Sequence, residues 1–529
     1  MTGTRIVAGR IGRAAGRPAR TVAAAMAALL VTSGLLASGC AAVYGPDGGA
    51  SANTVTIAVT ASFPDLDPHR STSNVNYLVN HENVYEPLVR LDGTGSKVLP
   101  SLATEWELVN PTTYRFTLRK GVTFHNGERF DAKAAAFSID RVINDERSAD
   151  LASYFTRVKE ARATGPYTVE VHTDGHVPDL LLNLTNLMMV PPAKAQEDGG
   201  DALTDEPTGT GPYRFVRKST DSILLEPFRE YWGGPPPDRR VEVVSRPEAS
   251  SEIAALRAGE IDIAYDIPRE LVGQVPKEVS APVLETVVLR LNGLGGPTAD
   301  PRVRRAITMA IDRRTLRRAL LGDKYGVDPR CQFAPPGVVG HDPNLRDDTP
   351  HDVAAARALI REAGAMGKKI RLISVQGRYP KSKEIVEAAA AGLERIGLKV
   401  ELRVLNNQSW LAEIYATGSG RPDAALIGVN VDQWNVLQPF DSIVSDSSSL
   451  STFPHEQYPQ VARAIEESRS LTDTKRRLDL QRQASREICA SNAFVWLYGY
   501  HQIWGAQKSV SWDVRRDNKI VFSSIRVEP

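Results

Sequence analysis

Apolar and polar positions alternate most clearly just past the middle of the chain. Val287, Leu289 and Leu291 alternate with Val288 and Arg290, a two-residue period rich in β-branched side chains that predicts a strand. Asn292, Gly293, Gly295, Gly296 and Pro297 break it. Asp300 followed by Pro301 predicts a helix start, because Pro loses nothing at a position whose N–H is unpaired anyway. Val303, Ala306, Ile307, Ala310 and Ile311 then recur on one helical face. A buried strand, a Gly-rich corner and a well-started helix are expected, placed where a crossing between two lobes is plausible. The plain alternative is a strand, loop and helix inside one domain.

The same reading extends along the chain. Val55 to Thr60 alternates as a first strand, and a helix is expected around Asn74 to Asn80. Tyr114, Phe116 and Leu118 share one strand face, ended by a hairpin corner at Asn126-Gly127, and Asp131 caps a following helix. Another strand covers 166–172. Asp352 to Gly364 predicts an amphipathic helix with Val353, Ala356, Leu359 and Ile360 inward. Strand 370–373, helix 382–397 and strand 399–405 form a β–α–β unit, hence a parallel pair. Strand 424–429, helices near 457–469 and 474–488, and a hydrophobic strand 494–498 follow.

With 529 residues, two or three domains are expected. The 42% hydrophobic and 24% charged residues are those of a globular protein, and a net charge of +1 gives no basic stripe for nucleic acid. Charge clusters only at the N-terminus, where Arg5, Arg10, Arg13, Arg17 and Arg20 precede the apolar run Thr21 to Leu36, too short to span a bilayer. Leu36-Ala37-Ser38-Gly39-Cys40 ends it and resembles a bacterial lipobox, which implies a diacylated Cys40 and a membrane-anchored, extracytoplasmic protein; a plain secretory signal is the alternative. Residues 1–40 read as the signal peptide and 41–54 as a flexible tether. Cys331 and Cys489 remain, a candidate disulfide in an oxidising compartment.

The chain carries no Gly-x-Ser-x-Gly elbow, HExxH or CxxC. His172 and His176 flank a turn rather than sharing a helix face, so no metal site is expected. Gly209-Thr210-Gly211 lacks the rest of a nucleotide-binding fingerprint.

The run RLNGLGGPTADPRVRRAITMAIDRRTL resembles the "LN…P…D.RVR.A…AID" signature of the family 5 extracellular solute-binding proteins. Leu66-Asp67-Pro68, Tyr85-Glu86-Pro87-Leu88-Val89, Pro100 to Trp106, Tyr114 to Gly127, Gly209 to Phe215, Tyr231 to Gly234 and Leu256 to Ala264 resemble its other motifs, in order. The resemblance implies a mixed α/β, bilobal type II periplasmic-binding fold with an inserted domain and lobes joined by hinge strands. Lobe I would comprise 55–90, 209–291 and 494–529, the inserted domain 91–208, and lobe II 292–493. It implies no catalysis and no cofactor. The partners implied are a small-molecule ligand, first of all a short peptide, and the permease of an ABC importer, served by a monomer. Other implied ligands are an oligosaccharide, a metal complex or a haem-like compound. From other classes, an envelope-assembly lipoprotein and a secreted hydrolase stand as alternatives.

Asp432 matches the family's Asp that holds a peptide's α-ammonium; otherwise it caps a loop. Asn430 and Trp434 stand beside it. Trp410 matches a Trp near the cleft, or is core. Arg378 and Lys381 stand where some members meet a peptide carboxylate, or are solvated. The acid some oligopeptide binders carry after "LDP" is absent, Ser71, Thr72, Ser73 and Asn74 standing there, with Asn74 the candidate ligand contact. An Arg of such members is Leu426 here, and an aromatic is Val429.

Overall fold

Two long antiparallel strands, Lys277–Leu291 and Phe494–Ala506, form the centre of the computed structural model, which describes residues 53–528 apart from Pro64, Ser71, Thr72, Ser96 and Ser447. The signal peptide, Cys40 and nearly all of the tether fall outside these residues. The first strand is three times as long as the alternation in 287–291 suggested. Its alternation does not separate core from solvent: residues 283–291 are all buried. Val287, Leu289 and Leu291 enter one apolar core and Val288 the other. The second strand divides likewise, Phe494 and Trp496 to one side, Val495 and Leu497 to the other. A strand buried on both faces belongs inside a sheet covered on both sides.

That sheet has eleven strands among the described residues. On one side of the crossing pair run Ala424–Asn430, Lys369–Val375 and Lys399–Leu405, and on the other Ile263–Ala264, Thr54–Val59, Arg240–Ser245, Ser222–Pro227 and Tyr213–Lys218. Gly326–Val327 pairs with the second crossing strand. The expected β–α–β unit is present, with Leu372 opposite Leu402 in a parallel pair and helix Ser382–Arg395 between. A separate four-stranded antiparallel sheet, ordered Ala103–Asn110, Thr113–Leu118, Thr168–Thr173, Val158–Gly165, packs on helix Ala132–Asn144 over a core containing Phe116, Phe124 and Ile139. Asp131 caps that helix as expected, accepting from the N–H groups of Lys133 and Ala134. The Asn126-Gly127 corner turns at Gly127, φ +87°, but closes an isolated Thr123–Arg129 bridge; the 113–118 strand has already ended at Leu118.

Most recognisable motifs fasten elements together. Asp300 caps helix Pro301–Ala310, and the wholly buried Arg304 donates to the carbonyls of Ser491, Thr298 and Ala299 and to Gln457 Oε1. Asp67 meets Arg141 through two hydrogen bonds of 3.0 and 2.5 Å, joining the "LDP" turn to the helix of the four-stranded layer. Glu86 accepts from Thr210 Oγ1, Tyr231 Oη and Trp232 Nε1 at 2.7–2.9 Å, so one buried carboxylate joins three motifs. Burial pushes its pKa up to about 7 against those donors. Cys331 and Cys489 form a disulfide, their Cα atoms 5.5 Å apart.

Candidate functional site

Strand Ala424–Asn430 ends where its last residue pairs with Glu285 of the first crossing strand. The chain then turns sharply. The Trp434 N–H bonds the Val431 carbonyl at 2.8 Å, and Trp434 takes a left-handed φ of +53°. That conformation is costly for a bulky residue, but the Trp434 ring is buried against Gly95 and its carbonyl accepts from Val339 N–H. A Cβ on Gly95 would occupy the same space as the ring. The turn holds Asp432 at the wall of a cavity of about 1050 Å³.

Remote parts of the chain complete that wall. Helix Asn74–Asn80 gives Tyr77, the 153–155 turn Tyr154, the crossing strands Glu285 and Tyr500, and the C-terminal segment Lys519. The cavity therefore lies where the crossing strands meet the four-stranded layer and the C-terminal segment.

Asp432 faces the cavity, yet the cavity lies deep enough that burial pushes its pKa up to about 7, with the Glu285 charge adding to the shift and Lys519 and Arg378 opposing it. Among the described residues no group hydrogen-bonds or ion-pairs with its carboxylate. Burial raises the phenols of Tyr77 and Tyr154 as well, with the Asp432 charge the next contribution to both. Other acids of the wall are paired: Glu285 with Arg378 at 3.0 Å, Asp179 with Arg477 at 3.5 Å, Asp517 with Arg515 at 2.7 Å, and Asp441 with Arg469. Glu285 also accepts from Tyr500 Oη at 2.5 Å. Gly428 makes room for this arrangement. An added Cβ would collide with the Glu285 carboxylate and lie 2.5 Å from the Tyr379 ring. Burial opposes the Arg378 charge, but Glu285 and Tyr379 outweigh it and raise its pKa.

Four of the expected residues, Asp432, Asn430, Trp434 and Arg378, therefore line one cavity. Two do not. Trp410 lies on helix Asn407–Ile414 and packs against the two apolar cores flanking the crossing strands, so its alternative reading as core is the one that fits. Lys381 pairs with Glu270 and, at 3.5 Å, with Glu384 at the start of its helix, away from the wall. Asn74 opens helix Asn74–Asn80, but its side chain is outside the described structure. Arg378 is at the wall but is already engaged by Glu285. Sequence reasoning missed Glu285, Tyr500 and the C-terminal segment. The signal for Glu285 was present, as a lone carboxylate in the apolar run Val283-Leu284-Glu285-Thr286-Val287-Val288. Among the described residues no cluster of His, Cys, Asp and Glu could hold a metal ion, and no helix is long and apolar enough to cross a membrane.

The family model for bacterial extracellular solute-binding proteins, family 5 Middle, matches residues 97–450. The glutathione-binding protein GsiB of Pectobacterium atrosepticum is 25% identical over 472 residues, 84% of this chain and 88% of that protein. Among solved structures, DppA of Helicobacter pylori in complex with the peptide STSA superposes with a TM-score of 0.73 at 23% identity, covering 90% of this chain and 98% of the other. NikA of Brucella suis in complex with Fe(III)-EDTA gives 0.78 at 22% identity, covering 90% and 100%.

Proposed function

Since this chain belongs to the bacterial extracellular solute-binding proteins of family 5, the substrate-binding proteins of ABC importers for peptides and related solutes, we propose that it captures short peptides with a free N-terminus and hands them to a permease. Its fold is the type II periplasmic-binding architecture, mixed α/β as expected. We assign lobe I to 55–90, 209–291 and 494–529, lobe II to 292–493, and the inserted domain to 91–208, with the ligand enclosed between them.

One observation carries the ligand class. Asp432 is a carboxylate at the cavity wall with no partner among the described residues, in a place where its own charge is disfavoured. A ligand ammonium supplies the missing partner through a charge-assisted hydrogen bond of roughly 1.5–3 kcal/mol. Glutathione, named in the GsiB relative, and the peptide bound to DppA belong to this ligand class. A sugar would call for an open aromatic platform. Trp434 is only 1% exposed and Trp410 is packed between cores, so neither tryptophan offers one.

Calorimetric titration tests the assignment. Short peptides are expected to bind, and the same peptides N-acetylated to bind on the order of 30-fold more weakly or worse, since the Asp432 carboxylate is left without its partner. Equal affinity for free and acetylated peptides would remove Asp432 from the role. Sugar binding without peptide binding would remove the ligand class.

The chain works as a monomer, anchored through lipid on Cys40 outside the cytoplasm. The small residues before Cys40 at the end of an apolar run support the anchor. Cys40→Ser is expected to appear in the soluble fraction or to remain unprocessed; normal processing with membrane retention would refute it.

A further inference from the structure

Along the first crossing strand the pairing with its neighbour lapses. Pro282 faces His501, and the next pair is Thr286 with Gly499. Val283, Leu284 and Glu285 thus stand against Tyr500 alone, a bulge of the kind that opens a sheet locally. The second crossing strand turns instead to Gly326–Val327, which pairs with Tyr500 and Gly499. A second cavity of about 540 Å³ opens at this gap. It shares Val283, Glu285 and Arg516 with the larger cavity, so the two adjoin across the bulge.

The walls differ in character from those of the first cavity. Pro282, Val283, Val327, Pro335 and Pro336 give an apolar lining. Segment 328–341 forms one side, and the Cys331–Cys489 disulfide fastens it. Most polar groups here are satisfied: Gln332 is bonded twice to Asp342, His341 Nδ1 pairs with the Ala334 carbonyl, and Asp328 meets Arg317 at 3.4 Å. Glu285 is held by Arg378 and Tyr500.

Three groups are left over, one of them Arg330, which bonds the Pro343 carbonyl at 3.4 Å and makes no ion pair among the described residues but does not reach the larger cavity. Arg516 bonds the Pro336 carbonyl and lies over the Trp434 ring at 5.9 Å, but it makes no ion pair among the described residues, and its Nε–H is buried without a partner. His501 Nδ1 is likewise buried and unpartnered. A guanidinium without an anion at the junction of two cavities calls for a ligand anion.

We propose that the second cavity receives the carboxyl-terminal residue of the bound peptide, its apolar side chain against the proline and valine walls and its carboxylate on Arg516. The inference rests on the peptide reading. It places the carboxylate away from Arg378, which Glu285 already neutralises. The ligand then runs from Asp432, past the Trp434 turn, to Arg516, and the receptor selects short peptides ending in a free, apolar residue.

The test compares Ala-Ala-Leu, Ala-Ala-Gly and Ala-Ala-Leu amide by calorimetry. The parent protein is expected to prefer the leucine-ended acid over the glycine-ended one by about 10- to 150-fold, the worth of burying such a side chain. Val327→Trp narrows the apolar wall and should erase that preference, weakening the leucine-ended acid far more than the glycine-ended one. Pro336→Trp, at the exposed rim where it cannot disturb a core, should act in the same direction. Arg516→Gln should weaken the free acid by about 30-fold or more and leave the amide unchanged. A parent that binds peptides without regard to the last residue, or a preference that survives both tryptophans, overturns the subsite. Equal losses for acid and amide in Arg516→Gln overturn the role of the guanidinium. A parent that binds no peptide at all rejects the peptide reading itself.

Discussion

Replacing Asp432 by Asn should make the empty protein more stable and the receptor useless. The folded protein raises this carboxyl from its ordinary 3.8 to about 7, so the folded state holds the proton more tightly than the unfolded chain does. The sign of the linkage follows. Below 3.8 both states carry the proton and the residue costs nothing. As pH rises from 3.8 to about 7 the unfolded chain ionises first and stability falls. Above 7 the full penalty applies, up to about 4 kcal/mol for three pKa units at 1.36 kcal/mol each. Asparagine keeps the shape and removes the charge. Thermal unfolding of ligand-free Asp432→Asn should therefore occur several degrees above the parent at pH 8 and at the same temperature near pH 4. Binding should move the other way. Loss of the charged partner costs about 2–5 kcal/mol, or roughly 30- to several-thousand-fold in affinity. In the parent, binding an ammonium must release the Asp432 proton below pH 7, so affinity should fall about tenfold per pH unit from 7 to 5, with one proton released per ligand in buffers of differing ionisation heat. A variant that is less stable at pH 8, or that binds as the parent does, refutes the reasoning.

Two other outcomes are expected. Cys331→Ser breaks a bridge across 158 residues of sequence and should cost about 2–5 kcal/mol of stability by denaturant unfolding; an unchanged midpoint would mean that the bridge contributes nothing. Gly428→Ala pushes a methyl into the Glu285 carboxylate and the Tyr379 ring and should cost about 1–3 kcal/mol by overpacking, read as a lower melting temperature that an unchanged scan would contradict.

The sequence was legible wherever local chemistry decided the outcome. Asp300 and Asp131 each cap the helix their spacing predicted, because a cap depends only on residues two or three positions away, and Asp352, read as the first residue of its helix, proves to be its cap. Asp432 was legible through resemblance alone. The first crossing strand was underestimated because Pro282 interrupts it, and the alternation of Val279 and Ala281 on the near side becomes a strand only through its distant partner. Glu285 and Arg516 were hidden for the same reason. Nothing near Glu285 in the chain announces Arg378, 93 residues away, and nothing near Arg516 announces Trp434. Trp410 misled because an aromatic residue on a short helix fits a core and a cleft equally well by sequence.

The cavity wall draws on residues from Tyr77 to Lys519, and this sets an order of events during synthesis. A chain emerging from its N-terminus can fold the four-stranded layer early, since its strands lie within residues 103–173. It cannot close the second crossing strand on the first until residue 506 has appeared, nor place Arg516 and Lys519 at the wall before they too have emerged. Contacts that span so much of the chain form slowly. A nascent chain that has not yet exposed residue 519 therefore lacks a complete cavity wall, however well its earlier layer is folded.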